Sequence, residues 1–160
     1  MDVSFQTQEG RFNLRVSGLL IHENRLLIMK DEQTPYYYIP GGRIALNETA
    51  ETAIVREFQE ELHVNASIER MVFVGESFFT EEVNKEDYHE ICMYYLMNVE
   101  KSSYIYEDNQ FLCDEDGTRC LTFTWMPIEE LKNQYIYPVF IKEKIMNLPE
   151  QIEYVIEIRK

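Results

Sequence analysis

Residues 41–64 read GGRIALNETAETAIVREFQEELHV, and the rest of the chain is read outward from them. A glycine pair, Gly41-Gly42, follows Ile39-Pro40, and the YYYIP run that ends there reads as a short buried strand. Thr49 is a favourable N-cap and Glu51 suits the positive end of a helix dipole, so a helix is expected from there to about Leu62. Ala50, Ile54, Phe58 and Leu62 recur every fourth residue and form an apolar stripe that packs on a neighbour. Glu57, Glu60 and Glu61 stand at i, i+3 and i+4, which converges their carboxylates on one patch beside the stripe.

Like charges at this spacing cost a bare helix a few tenths of a kcal/mol each. A solvated acidic face would account for them, and a lone ExxEE usually means only that. A hard-cation site is the sharper reading, because Mg²⁺ and Mn²⁺ take oxygen ligands from carboxylates and substrate phosphates. The neighbouring residues favour it. The Gly pair lets backbone approach a metal or phosphate closely. Arg56 can bind Glu60 one turn on, or reach back to the loop, and so fix the carboxylates in place.

The order Gly42, Glu48, Arg56-Glu57-Phe58, Glu60-Glu61, Val64 resembles the Nudix box, Gly-x5-Glu-x7-Arg-Glu-U-x-Glu-Glu-x-Gly-U, where U is bulky and apolar. One fixed position departs: His63 replaces the last glycine. If that glycine serves as a left-handed C-cap, His is among the better non-glycine substitutes. The resemblance implies an α+β fold, a Nudix-type α/β/α sandwich with mixed sheet, as one domain over residues 1–160. It also implies metal-dependent hydrolysis of a phosphoanhydride bond in a nucleoside diphosphate linked to another moiety. In that reading Glu57, Glu60, Glu61 and a Gly41 or Gly42 carbonyl hold Mg²⁺ (or Mn²⁺), and Gly42, Glu48 and Arg56 stand behind them. Glu60 or Glu61 is the general base, or an outside carboxylate such as Glu90. A phosphoanhydride repels both water and base, which is why divalent cations suit its hydrolysis.

Two other classes stand against this. A non-catalytic nucleotide-binding module would be favoured by loss of the acidic triad, which is intact. An isoprenoid-diphosphate isomerase needs a Cys and a Glu in the pocket, for which Cys92 and Glu90 are candidates, although Cys92 sits in an apolar run. Substrate identity is open; the SQPWPFPxS run of NADH-type relatives is absent, and Thr80 stands where many ADP-ribose enzymes have Pro.

The remaining sequence fits this frame. At 160 residues the chain can bury a real core. Its formal net charge of −14 and lack of a basic run disfavour long nucleic acids, whereas a small phosphorylated nucleotide can be bridged by cations. Cys92, Cys113 and Cys120 have no metal-ligand spacing and leave an odd thiol, which reads as reduced and cytoplasmic. No membrane span or secretory leader is expected, and a homodimer is left open.

Residues 11–30 look like a hairpin turning at His22-Glu23-Asn24, with Arg15 on the polar side of its first strand and able to meet a phosphate. Tyr37 is assigned to the core, and Tyr36 or Tyr38 to the cleft. Strands are expected at Ile68–Phe79 and over HEICMYYLMNV, with Glu76 a second candidate carboxylate beside Glu90 and the Glu81-Glu82 pair a weaker one. Asp114-Glu115-Asp116-Gly117 reads as a hairpin turn and LTFTWMP as a strand; IEELKNQ and VFIKEKIMNL read as short helices, and Ile152, Tyr154, Ile156 and Ile158 mark a terminal strand.

Overall fold

The helix around which the fold is built, α1, runs Ala50–Leu62. The Thr49 hydroxyl accepts the Thr52 N–H at 3.1 Å at its start, and His63 ends it with φ 56° and ψ 37° in the left-handed region. The expected stripe is buried at Ile54, Phe58 and Leu62, each worth roughly 1.5–3 kcal/mol. Ala53 joins them, and so do two of the acids, Glu57 and Glu61. The helix therefore sinks its acidic flank inward and does not present it to water.

The computed structural model describes residues 1–159. Its strands, in chain order, are β1 (Ser4–Gln6), β2 (Arg11–Leu19), β3 (Ile21–His22), β4 (Arg25–Asp31), β5 (Tyr37–Tyr38) and β6 (Gly41–Arg43), followed after α1 by β7 (Ala66–Thr80) and β8 (Asp87–Val99). Then come β9 (Gln110–Glu115), β10 (Arg119–Pro127), β11 (Ile136–Tyr137), the short helix α2 (Ile141–Lys144) and β12 (Glu153–Arg159). They form two mixed sheets. One is ordered β1-β2-β8-β7-β12 with β6 also on β2; the other is β11-β5-β4-β10-β9 with β3 also on β4.

The sheets form the middle layer of an α/β/α arrangement. Leu27, Met29 and Phe123 of one sheet, and Val16, Tyr95 and Met97 of the other, share a core with α1. Leu26 and Ile28, with Leu19, Phe73 and Tyr94, share the opposite core with Ile128, Leu131 and Ile141. Alternate residues of β4 thus serve both cores, which explains why its middle, Leu26 to Met29, is an unbroken apolar run.

Three expectations change. Residues 11–30 are not one hairpin: β2 and β4 lie in different sheets, and only the short β3 pairs with β4 across the Glu23-Asn24 turn, whose φ values are 50° and 59°. The YYYIP strand shrinks to Tyr37-Tyr38, where Lys30 lies 4.7 Å from a half-buried Tyr37 ring. Of the two short helices, Ile128–Asn133 is 3₁₀ and the second is a single turn at Ile141–Lys144.

Helix α1 approaches β2 at Gly18, where an added Cβ would lie 2.4 Å from the Phe58 ring. Gly18→Ala is expected to destabilise the protein by about 1–3 kcal/mol through overpacking. Urea unfolding checks this, and an unchanged midpoint would show that the helix has slack there.

Candidate functional site

Beside α1 the two sheets part around a cleft of about 850 Å³, into which β2, β6, β8, α1 and the β9–β10 hairpin all contribute. Its floor is set by the glycine pair. A Cβ on Gly42 would lie 2.3 Å from a Glu57 carboxylate oxygen, so only glycine lets the helix acid rest there. One residue earlier, the Gly41 N–H donates to Glu61 Oε1 at 3.0 Å.

Arg56 fixes the acidic end. Its Nε donates to Glu48 Oε1 at 2.7 Å and its Nη2 to Glu48 Oε2 at 2.9 Å, a two-pronged pair. The same Nη2 donates to the Arg43 carbonyl at 3.2 Å, while Nη1 donates to Glu57 at 2.9 Å and to Glu60 at 3.3 Å. Both partners foreseen for Arg56, the loop and Glu60, are engaged together. The guanidinium holds the Glu48 carboxyl below the usual range. Burial pushes Glu57 up, and pushes the enclosed Glu61 well up with the Glu57 charge adding to it.

One oxygen each from Glu57, Glu60 and Glu115 lies within 4.8 Å of the others. Glu115 is missing from the sequence reading, which took its segment only as a turn. The turn is there, with Asp116 at φ 50° and Gly117 at φ 71°. Alternation along β9 carries the additional signal: Cys113 is buried, and Glu115 two residues on shares its face. Arg119, across the same hairpin, was also missed. Its Nε stands 3.6 Å from Glu115 and its Nη2 donates to the Tyr38 hydroxyl at 3.1 Å.

Glu90 and Arg15 both line the cleft. Parallel pairing of β2 with β8 sets Asn13 opposite Glu90, with Arg15 on the same face two residues on. Arg15 Nε lies 3.8 Å from Glu90 Oε2, and Asn13 Nδ2 donates to that oxygen at 3.5 Å. The partners of Glu90 are therefore a guanidinium and an amide, and Glu90 is not among the three converging acids.

Tyr38 lies in the cleft wall as expected, and Tyr36 beside it donates to Glu81 at 2.9 Å. Glu81 and Glu82 are engaged in shaping this wall: Glu81 also accepts the Val83 and Asn84 N–H groups, and Glu82 accepts the Tyr137 hydroxyl at 2.6 Å. Glu76 is a correction. Strand alternation sends Ser77 into the cleft and Glu76 to the other face of β7, where it bonds His89 at 2.8 Å and the Tyr154 hydroxyl. Cys92 lines the cleft against Ser17, and burial pushes its thiol up to about 12. So protonated a thiol is a poor acid–base group, which weighs against isomerase chemistry.

A family model described as NUDIX domain matches residues 11–145. The chain is 31% identical over 65 residues to an ADP-ribose pyrophosphatase of Methanocaldococcus jannaschii, a match covering 39% of this chain and 38% of that protein's length. Among solved structures, a MutT protein from Bacillus halodurans superposes with a TM-score of 0.59 at 11% identity, covering 89% of this chain and 86% of that one. A NUDIX hydrolase from Nitrosomonas europaea gives 0.57 at 18% identity, covering 97% and 82%. At these identities the two structures speak for the fold.

The His63 ring donates from Nε2 to the Asp114 carbonyl at 3.1 Å, tying the end of α1 to the strand that carries Glu115. His63→Gly is expected to stay within about 1 kcal/mol of wild type, because relief of the left-handed backbone offsets the lost bond. His63→Ala loses the bond and keeps the strain, so it should be less stable than His63→Gly by about 1 kcal/mol. Paired urea melts check this; an Ala variant as stable as the Gly one would remove the backbone argument.

Proposed function

The chain belongs to the NUDIX domain family, and from that premise we propose that it hydrolyses a phosphoanhydride bond in a nucleoside diphosphate linked to another moiety. The observation that carries the proposal is the convergence of Glu57, Glu60 and Glu115 in a cleft that also presents Arg15 and Arg119. Three carboxylate oxygens this close repel one another, Arg56 and Arg119 offset that from outside the cluster, and the all-oxygen donor set suits Mg²⁺ or Mn²⁺ between them.

Glu57, Glu60 and Glu115 would hold the ion, with Glu61 and Gly41 directly behind. Bound there, a divalent ion neutralises phosphate oxygens and makes a water more acidic. The remaining work falls to the chain. Arg56 keeps Glu57 and Glu60 aimed at one point, and Glu48 keeps Arg56 in place. Arg15 and Arg119 supply positive charge for the diphosphate, with Glu90 and Tyr38 orienting them. Tyr36 and Tyr38 give an aromatic wall against which a base or sugar can lie. For proton removal from the attacking water, Glu60 has the free face, being 38% exposed in its side chain. Glu61 is enclosed against the Gly41 N–H, and Glu90 is taken by Arg15.

Among the described residues no helix is long and apolar enough to cross a membrane. Three free thiols suit a reducing compartment, so the proposal is of a cytoplasmic enzyme acting on a small nucleotide. ADP-ribose, the substrate named for the archaeal relative, heads the panel to be tested.

The test is turnover of ADP-ribose, nucleotide sugars, nucleoside triphosphates and dinucleoside polyphosphates, read as phosphate released after a phosphatase step. At least one should turn over with Mg²⁺ or Mn²⁺, and Glu60→Gln should lower that rate by about 100-fold or more. Failure across the panel, or an unchanged rate in the variant, overturns the proposal. A second check does not need the substrate. Gly42→Ala pushes the Glu57 carboxylate aside, so Mn²⁺ affinity measured by calorimetry should fall about tenfold or more while the fold persists.

A further inference from the structure

The last strand is amphipathic in the inverted sense. In β12, Val155 is buried, Glu157 accepts the Val139 and Phe140 N–H groups at 3.1 and 2.7 Å, and the Arg159 guanidinium lies 3.9 Å from the Tyr137 ring centre. The charged row therefore faces in. The apolar row, Tyr154, Ile156 and Ile158, faces solvent at 57%, 57% and 70% exposure. Water does not select this arrangement; burying that row would recover roughly 25 cal/mol for each Å² covered.

β12 is also the outermost strand of its sheet, paired in parallel with β7 alone, and among the described residues no backbone group bonds its other edge. Folds commonly blunt such an edge with a proline, a bulge or an outward charge. Here the ladder to β7 is regular over Glu153–Arg159, no proline interrupts it, and the outward row carries no charge.

We propose that this edge pairs, antiparallel, with β12 of a second copy of the chain about a twofold axis at Ile156. The register follows from charge and from the two-residue period. A perpendicular twofold keeps inner faces together only when the axis falls on a residue. An axis on Val155 sets Glu153 against Glu157 of the second copy, and an axis on Glu157 sets that carboxylate against itself. An axis on Ile156 sets Glu153 opposite Arg159, Tyr154 opposite Ile158 and Val155 opposite Glu157, each twice over, and Ile156 against itself, with each Glu157 keeping its ion pair to Arg159 of its own chain. Opposite charges directly across an antiparallel pair stabilise it and like charges destabilise it; an axis on Ile158 also sets Glu157 opposite Arg159 but overlaps only residues 157–159, so the Ile156 register, which uses all of β12, is selected. Two chains of net charge −14 repel at a distance, and a neutral outward row with matched charges inside is the kind of contact that tolerates it. A strand of unrelated sequence has no reason to match at both ends. The Arg159 Nε already lies 3.0 Å from Glu157 and Glu153 already bonds Lys144 at 3.0 Å, so the pairing would join these two ion pairs across the junction into one alternating network of charges. Arg159 also lines the cleft, which brings the junction to its rim.

Sedimentation at micromolar concentration tests this on the full chain. Wild type should show twice the single-chain mass. Ile156→Lys, which sets two ammonium groups against each other on the axis, should halve it with an unchanged circular dichroism spectrum. A cysteine on a twofold axis meets its own copy, so Ile156→Cys should give a covalent dimer with oxidised glutathione, where wild type and Phe5→Cys give none. A single-chain mass for wild type overturns the proposal, as does a dimer that Ile156→Lys leaves intact.

Discussion

The Arg56 guanidinium bonds four partners at once: Glu48, Glu57, Glu60 and the Arg43 carbonyl. Without it, α1 would carry three acids within two turns, two of them buried, against a turn too tight to hold a side chain at Gly42. Burial of carboxylates without partners costs several kcal/mol each, enough to consume the stability of a domain this size. Arg56 makes the arrangement tolerable by giving the acids a shared donor. It also joins the helix to the loop before it, since Glu48 is bonded to the Ala45 N–H as well. Loop, helix and acidic cluster are thus one mechanical unit, and the sheets are arranged to receive it.

Much of that unit was legible in the sequence because its determinants are local. The cap at Thr49, the fourfold recurrence of Ile54, Phe58 and Leu62, and the i, i+4 reach from Arg56 to Glu60 all fall within a few turns of chain. Even the His63 cap could be read, since left-handed backbone tolerates few residue types. What the sequence hid is set by pairing at long range. Residues 11–19 pair with residues 88–96, and nothing near Glu90 announces that Arg15 will be its partner. Glu115 joins the helix acids only because β9 runs past the end of α1, with the His63–Asp114 bond as the tie.

Where local pattern misled, strand parity is the common cause. Glu76 and Ser77 are neighbours with opposite destinations, and choosing between them needs the register of β7 on β8. β2 and β4 each have two buried faces, so the usual alternation of apolar and polar residues fades. A hairpin drawn between them was the simplest continuous reading, but it passes over Leu19 and Leu20, adjacent residues that face different cores.

That division between local and distant contacts imposes an order of assembly. A ribosome releases the chain from its amino end, and α1 has its cap and its Arg56 contacts as soon as residues 43–62 are out. β2 then waits for β8, and β7 for β12, the final strand described. Over that interval the faces of β2 and β4 turned away from α1, those of Leu19, Leu26 and Ile28, have no cover, and long-range pairing is the slow step in folding. The acid cluster closes once Glu115 emerges, while the cleft's far wall still needs Tyr137 and Arg159. A nascent chain stalled after β10 would therefore carry the converged carboxylates of Glu57, Glu60 and Glu115 on an unfinished body, beside a cleft that still lacks the wall Tyr137 and Arg159 supply.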